Sequence, residues 1–573
     1  MVSTQSSQAQ AWSPLRIAAY RNLWLALLAA NIGTWMQTVG AQWLLVKTTD
    51  ADTLVAAVQT ASMLPILLFA LPAGVLADAF DRRHLLISVQ GFLAVVGVVL
   101  TVLTAIGHMG PALLLTLTFL LGTGQALTLP AWAAVIPQLV PREQIRSASS
   151  LGAISVNVAR AIGPAVAGVL VAEAGVAVVF GVNAFTFLLF AFTLIRWRPE
   201  SAKPTESPER FTAALRAGGR YVRYSPTLRR MLLRIVLFIL PGSALWALLP
   251  IVASRRLGTS SHGYGLLLAA LGIGAIVGGI ALPKLRSRMS VSKLLGLAGL
   301  IFGLSLLDVA TLDSLAAVAV ALAPAGAAWV IVLANLNAEI QLFLPNWVRA
   351  RGLAVYQVVF AGGQALGALA WGAVAQVIGL ELTFIAAAAI MLLDAVALAM
   401  WPFPDLRDVD RQPAVIWPEV SLAVHPDPQA GPVLVTAAYK VRPEREREFM
   451  EAMRLVRDTR MRTGALRWGL FRVGEEPQRF VEVYRLATWD EHVRQHDNRF
   501  TGADRESEER AKTIADEGPR AWHLLPADTR AVHDAAAPSE GADEIGPRHQ
   551  DTGASDRGTT GPDVGNDTVT RRM

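Results

Sequence analysis

Residues 74–86 read GVLADAFDRRHLL, a knot of charge between two long apolar runs that carry almost none of their own. A charge at the centre of a membrane helix costs about 2.5–3.5 kcal/mol even on the lenient insertion scale. Asp78, Asp81, Arg82 and Arg83 are therefore expected in a short aqueous loop joining two membrane spans. In such a loop Gly74 lets two helices approach closely, Asp78 faces the positive N-terminal end of a neighbouring helix, and Arg82 with Arg83 anchors at anionic headgroups. Gly74, Asp78, Arg82 and Arg83 together have the makings of a gating latch.

The rest of the chain fits a membrane setting. Its 573 residues are 53% hydrophobic, and a mean hydropathy of +0.42 is too apolar for a soluble protein of this length. Residues 1–13 are polar, and the apolar run that follows is too long for a signal-peptide core, so it is expected to stay as a helix. Segments of spanning length, about 20 residues each, fall at 17–46, 53–77, 84–107, 112–134, 147–172 and 176–196. Six more fall at 231–253, 263–283, 291–310, 314–338, 352–377 and 380–401. The fold class expected is an all-α polytopic membrane protein, twelve transmembrane helices in two six-helix halves (17–197 and 231–401), with a small α+β domain appended. Residues 1–16 form the N-terminus, and 198–230 a polar central loop whose FTAALRAGGRYVRY segment reads as an amphipathic surface helix. Arg16, Arg82, Arg142, Arg286 and Arg349 fall on one side of this layout, whereas Lys47, Arg255 and Arg256 fall on the other. The positive-inside rule then puts both termini in the cytoplasm.

The two halves look alike, as transporter folds built from repeats do. Arg160-x-x-Gly163-x-x-x-x-Gly168 in the fifth span has a counterpart in Gln364-x-x-Gly367-x-x-x-x-Gly372 in the eleventh. After the eighth span, GGIALPKLRSRM keeps Gly279, Arg286 and Arg288 of the latch but lacks its acid.

Beyond Trp401 the composition changes. Residues 402–432 are Pro-rich and read as a linker. Residues 433–528 alternate between strand and helix periodicity in the order β-α-β-β-α-β, the ferredoxin-like arrangement, with one helical stretch from Trp489 through Asp516. Small and polar residues dominate 529–573, which reads as a disordered tail.

Ionisable and polar groups inside the spans are the candidates for function, because burying them without partners is costly. Arg160 sits mid-span with no route to either surface, and Asn157 shares its face. Asn31, Gln37 and Gln364 join them as candidates for the substrate path. Glu339 and Asp394 are the carboxylates placed to carry a proton. A Gly-rich phosphate loop of the Gly-x-x-x-x-Gly-Lys type is absent, which leaves an ion gradient to drive transport. In the soluble segment His492 and His496 lie four apart on a helix without an evident third ligand, so a solvated helix face is expected, with no metal and no cofactor. The chain has no Cys, which excludes disulfides and thiolate metal sites.

The latch resembles the Gly-x-Leu-Ala-Asp-x-x-Gly-Arg-Lys signature between the second and third helices of the major facilitator superfamily. Gly74, Leu76, Ala77, Asp78 and Arg82 match it, Arg83 replaces Lys, and Asp81 stands where Gly is usual. Gly163-Pro164, ending in Ala167-Gly168, resembles that superfamily's Gly-Pro-x-x-Gly-Gly exporter motif. With the LPNWVRARG loop and the appended domain, residues 12–525 resemble the transmembrane secretion effector branch, which is similar to the bacterial enterobactin exporter. The resemblance implies a non-enzymatic, multi-pass exporter in the bacterial plasma (inner) membrane. Its cargo would be a small amphipathic compound (siderophore, drug or secondary metabolite), exchanged for protons by alternating access, with no nucleic acid partner. The appended domain resembles small antibiotic-biosynthesis monooxygenases, some of which oxidise phenols without metal. It is expected to serve as a binding or pairing module. The alternatives are a membrane-tethered enzyme acting on a transported phenol and a major facilitator importer.

Overall fold

The computed structural model describes residues 12–198, 218–403, 410, 414, 422, 424 and 426–527. The side chains of Asp78, Asn157 and Asn498 and the surroundings of Gly74 lie outside this set, as do most of the expected amphipathic helix and linker and all of the tail.

Twelve long helices come first, one for each expected span. The first half holds α1 (Ala18–Leu45), α2 (Ala51–Ala79), α3 (Arg82–Ala105), α4 (Pro111–Leu139), α5 (Ile145–Ala174) and α6 (Val176–Arg196). The second holds α7 (Pro226–Ile251), α8 (Ser261–Arg288), α9 (Val291–Thr311), α10 (Leu315–Phe343), α11 (Asn346–Ile378) and α12 (Leu380–Met400). Among the described residues, eleven helices are long and apolar enough to cross a membrane. The 28-residue α1 is long enough but more polar, carrying Arg21, Asn22, Asn31, Gln37 and Gln42. Large apolar side chains such as Phe185, Ile280 and Val377 face outward, as lipid-facing helices require.

The packing repeats. In the first half α1 lies on α5 and α6, α2 on α4, and α3 on α4 and α6; adding six to each number gives the pairs of the second half. The principal contacts between halves are α2 with α11 and α5 with α8, and the same exchange turns one into the other. The glycines that suggested a repeat make these contacts. A Cβ on Gly168 would lie 2.7 Å from the Gly265 Cα, joining α5 to α8, and one on Gly372 would lie 2.5 Å from the Ala56 Cβ, joining α11 to α2. Nothing larger than hydrogen fits there, so the close crossing depends on these residues.

Three expectations need correction. The latch is not an extended loop: α2 runs on to Ala79 and α3 starts at Arg82, leaving only residues 80–81 between them. Gly74 and Asp78 therefore belong to α2, and Arg82 and Arg83 to the first turn of α3. The reason is capping: the Asp81 carboxylate accepts from the His84 N–H at 2.8 Å, which starts α3 at once. Second, α7 begins at Pro226, with the Ser225 side chain accepting from the Leu228 N–H, so Arg229 and Arg230 are helical. Third, the helical stretch expected over 489–516 breaks at Phe500, because Thr501 and Asp504 form a capping box that begins a new helix.

The C-terminal domain comprises β1 (Val433–Lys440), α13 (Glu446–Thr463), β2 (Arg467–Arg472), β3 (Arg479–Leu486), α14 (Trp489–Arg494), α15 (Gly502–Ile514) and β4 (Glu517–Leu524). A single π-helical turn, Gln495–Arg499, follows α14. The strands form one antiparallel sheet in the order β2-β3-β1-β4. Val433, Val435, Ala437 and Tyr439 of β1 are buried, while the residues between them are partly exposed, so one face of the sheet is covered by helices. The domain is docked on the helix bundle. Arg499 stacks over Trp347 at 4.9 Å and Arg457 over Tyr224 at 5.9 Å, and Trp347 meets Tyr221 edge to face.

Candidate functional site

The site lies where α1, α5 and α11 meet between the halves. A ladder of hydrogen bonds holds α1 to α5: Tyr20 Oη to the Ala148 carbonyl at 2.8 Å, Trp24 Nε1 to the Leu151 carbonyl at 2.9 Å, and Asn31 Nδ2 to Ser155 Oγ at 3.0 Å. Farther along, Gly163 provides the space for Trp35, since a Cβ there would lie 2.8 Å from the Trp35 Cβ. Seated this way, the Trp35 ring lies beneath the Arg160 guanidinium, 5.3 Å from its centroid. Trp35 also touches Trp246 of α7 at 5.8 Å. From α11, Tyr356 comes within electrostatic reach of Arg160 and hydrogen-bonds to the Asn337 side chain of α10. Gln125 of α4 donates to Thr34 at 3.1 Å, adding a polar group on the α1 side.

Arg160 has no carboxylate partner among the described residues, and its buried Nε has no hydrogen-bond acceptor there. A cation held on an aromatic face is stabilised by the ring quadrupole yet keeps donors for another molecule. The arrangement suits an aromatic or anionic group bound between the halves.

The other expected path residues divide. Gln37 is a buried tie, accepting from Asn183 of α6; farther along α1, Gln42 is another, donating to the Trp246 carbonyl at 3.1 Å and accepting from Tyr264 at 2.8 Å. Gln364 is buried in α11 with its Oε1 unpartnered among the described residues. It stands where Arg160 stands in the first half.

Of the two acids, Asp394 receives the Arg234 Nη1 at 2.6 Å, both side chains being buried, while Arg234 Nη2 donates to the Trp401 carbonyl at 2.8 Å. Glu339 is half-buried and has no hydrogen-bond or ion-pair partner among the described residues. Nothing in the sequence announced Arg234 as the partner of an acid 160 residues away.

The latch arginines act inside the first half. Arg83 donates to the Leu194 and Ile195 carbonyls at 3.0 and 2.7 Å, completing the C-terminus of α6, and Arg82 donates to the Ala134 carbonyl of α4 at 3.3 Å. The second half repeats the second of these, with Arg286 of α8 donating to Asn335 Oδ1 of α10 at 2.7 Å.

Hydrogen bonds between the halves gather at the end of the bundle away from the latch. Arg255 pairs with Asp52 at 3.0 Å, Thr53 donates to Gln376 at 2.7 Å, Gln376 donates to Asp50 at 2.7 Å, and Thr60 donates to the Ala365 carbonyl at 2.9 Å. The halves are thus zipped together at this end.

This architecture has known relatives. The sequence profile of the family described as transmembrane secretion effector matches residues 9–530. The chain belongs to this family, a branch of the major facilitator superfamily. It is 27% identical over 403 residues to the multidrug efflux pump Tap of Mycobacterium tuberculosis, covering 68% of this chain and 94% of Tap. It is 23% identical to the staphyloferrin A transporter of Staphylococcus aureus (48% and 70% covered). It is also 31% identical to the enterobactin exporter EntS of Salmonella choleraesuis (37% and 50% covered). Among solved structures, the nucleoside transporter NupG superposes with a TM-score of 0.55 at 14% identity, covering 66% of this chain and all of NupG. A bacterial homologue of the lysosomal transporter Spinster gives 0.55 at 16%, covering 68% and 96%. The chain is a multi-pass membrane transporter with the major facilitator fold.

Proposed function

We propose that this transporter exports a small amphipathic compound, in exchange for protons, by rocking its two halves about the Arg160 site. The observation that carries this reading is the cation on Trp35, set between the halves among Tyr356 and Trp246. An aromatic, partly anionic cargo satisfies both the ring faces and the free guanidinium donors. The names of the relatives, an efflux pump and a siderophore exporter, support the outward direction. In this reading the latch end faces the cytoplasm, as do both termini, and the membrane is the bacterial inner membrane.

Glu339 is the proton carrier in this proposal, because it has no partner among the described residues, whereas the Asp394 carboxylate is engaged by Arg234. Asn31, Asn157 and Gln364 line the path with Arg160, and Asp78, Arg82 and Arg83 steady the first half as the latch end opens and closes.

A second reading, a tethered enzyme, draws on the buried polar interior of the C-terminal domain. There Arg460 donates to Glu482 at 3.1 Å and to Glu508 at 2.7 Å, and Trp468 Nε1 donates to Glu482 at 2.9 Å. The transporter reading treats the domain instead as a pairing module, its open sheet face carrying Phe471, Trp522 and Leu524.

The test is intracellular accumulation of a panel of siderophores, drugs and amphipathic dyes in cells with and without the protein, each with and without a protonophore. Proton-coupled export predicts lower accumulation of some compounds, abolished by the protonophore. Higher accumulation would make the protein an importer. Truncation after residue 432 separates the enzyme: export that survives, with a phenolic compound no longer converted, would assign chemistry to the domain.

A further inference from the structure

His492, His496 and His523 come together from two elements that the sequence does not connect. His492 is on α14, His496 on the π-helical turn that extends it, and His523 on β4, 27 positions farther on. The ring centroids of His492 lie 4.5 Å from His496 and 4.7 Å from His523, and one nitrogen from each ring falls within 4.8 Å of the others.

The placement is not that of a solvated helix face. His492 is 1% exposed, and neither of its ring nitrogens has a hydrogen-bond partner among the described residues, nor does Nε2 of His496. A buried polar atom left unbonded costs about 1–3 kcal/mol, and His492 and His496 both bring such nitrogens to the cluster. Local structure aims them. His523 pairs with Val435 in the sheet register and so shares the helix-covered face with that buried valine, while Trp522 and Leu524 on either side are exposed. The π turn widens the helix where His496 must swing toward β4; single π turns recur at ligand sites. Trp489 packs at a tilt against His492, ring centroids 4.9 Å apart, and meets His523 edge to face at 6.0 Å, closing one side with an apolar wall.

We infer that these three histidines form a binding site for a divalent first-row transition ion of the zinc class, closed by imidazoles of α14, the π turn and the edge strand β4. Three neutral imidazoles suit zinc, cobalt, nickel or copper better than calcium or magnesium. At a bond length of about 2.1 Å, ligand nitrogens in a tetrahedral zinc site lie about 3.4 Å apart, so the trio closes by small side-chain rotations. Three protein ligands leave a fourth position open to water or to an anionic group. Arg460 lies within electrostatic reach of the cluster and disfavours positive charge there, an effect that its ion pairs with Glu482 and Glu508 offset in part. The ion would staple the edge strand to the helix that carries Arg499 toward Trp347.

The experiment uses the full-length protein in detergent, purified on a tag without histidine and stripped with chelator. Zinc is added by equilibrium dialysis and bound metal is counted; cobalt is added in parallel and its visible ligand-field absorption recorded. The expected result is one zinc per chain and a tetrahedral cobalt spectrum. The variant His523→Gln, on the half-exposed edge strand, should lower zinc affinity at least tenfold and abolish the spectrum, with circular dichroism unchanged. His496→Gln should do the same, which guards against a folding defect in either variant. Wild-type protein that retains no zinc, or that binds it no better than both variants, would overturn the site.

Discussion

Arg234 of α7 and Asp394 of α12 meet at 2.6 Å with 9% and 8% of their side chains exposed. Breaking a buried ion pair by removing one charge leaves the other uncompensated and costs roughly 3–5 kcal/mol, whereas replacing both with apolar groups is often neutral. Asp394→Asn should therefore lower the unfolding temperature in detergent sharply, and Arg234→Met with Asp394→Leu should restore most of it. The double variant should also keep protonophore-sensitive export; loss of proton dependence in that protein would make Asp394 the carrier.

Glu339→Gln, by contrast, should leave stability within about 0.5 kcal/mol, as expected for a side chain without partners. Export should persist down a cargo gradient but no longer respond to pH. Unaltered proton dependence would remove Glu339 from the mechanism.

Arg160→Ala should reduce export about tenfold or more at unchanged membrane insertion, since a desolvated cation on an aromatic face is worth up to about 2 kcal/mol. Arg160→Lys should recover part of this, because it keeps the charge but loses the planar donors. Efflux and uptake unchanged in Arg160→Ala, measured at equal expression, would make the residue a structural tie.

How much of this was legible beforehand depended on whether the signal was local. Span positions came from runs of apolar residues, and the repeat from Gly163/Gly168 and Gly367/Gly372, which mark close helix crossings wherever they occur. Pairings across the fold were not legible. Asp394 looked like a proton site because Arg234 is 160 residues earlier, and His492 with His496 looked like an exposed pair because His523 reaches them only once β4 has joined the sheet edge. The latch departs from the expected loop for a different reason: hydropathy registers the charges of Asp81 and Arg82, but not that Asp81 caps α3 and allows helix on both sides.

The latch yields a prediction of its own. Asp78→Asn should slow export without preventing insertion, whereas Arg83→Ala, which strips two carbonyl bonds from the end of α6, should lower stability by about 1–3 kcal/mol. Asp81 adds a pH signature. The His84 N–H holds its carboxyl below the ordinary value, so the cap stabilises α3 above that value and fades as pH falls through the lowered one. Helix content near neutral pH should not respond to this group, and Asp81→Ala should remove the acid-range dependence. Export by Asp78→Asn at the wild-type rate would exclude the latch from the transport cycle.

Docking of the C-terminal domain rests in part on Arg499 over Trp347. Trp347→Ala should speed protease release of the domain about two- to thirtyfold, the range of a contact worth roughly 0.5–2 kcal/mol, while the released fragment stays folded. Unchanged release would show that the domain is held elsewhere.

Because the chain has no Cys, the rocking of its halves can be tested with introduced thiols alone. Asp52 and Arg255 join the halves at the zipped end, so Asp52→Cys with Arg255→Cys, bridged by a short reversible thiol reagent, locks that end shut. The account predicts that the unbridged double variant exports, that bridging stops export, and that cleaving the bridge restores it. Export continuing at full rate in the bridged protein would contradict alternating access through the Arg160 site.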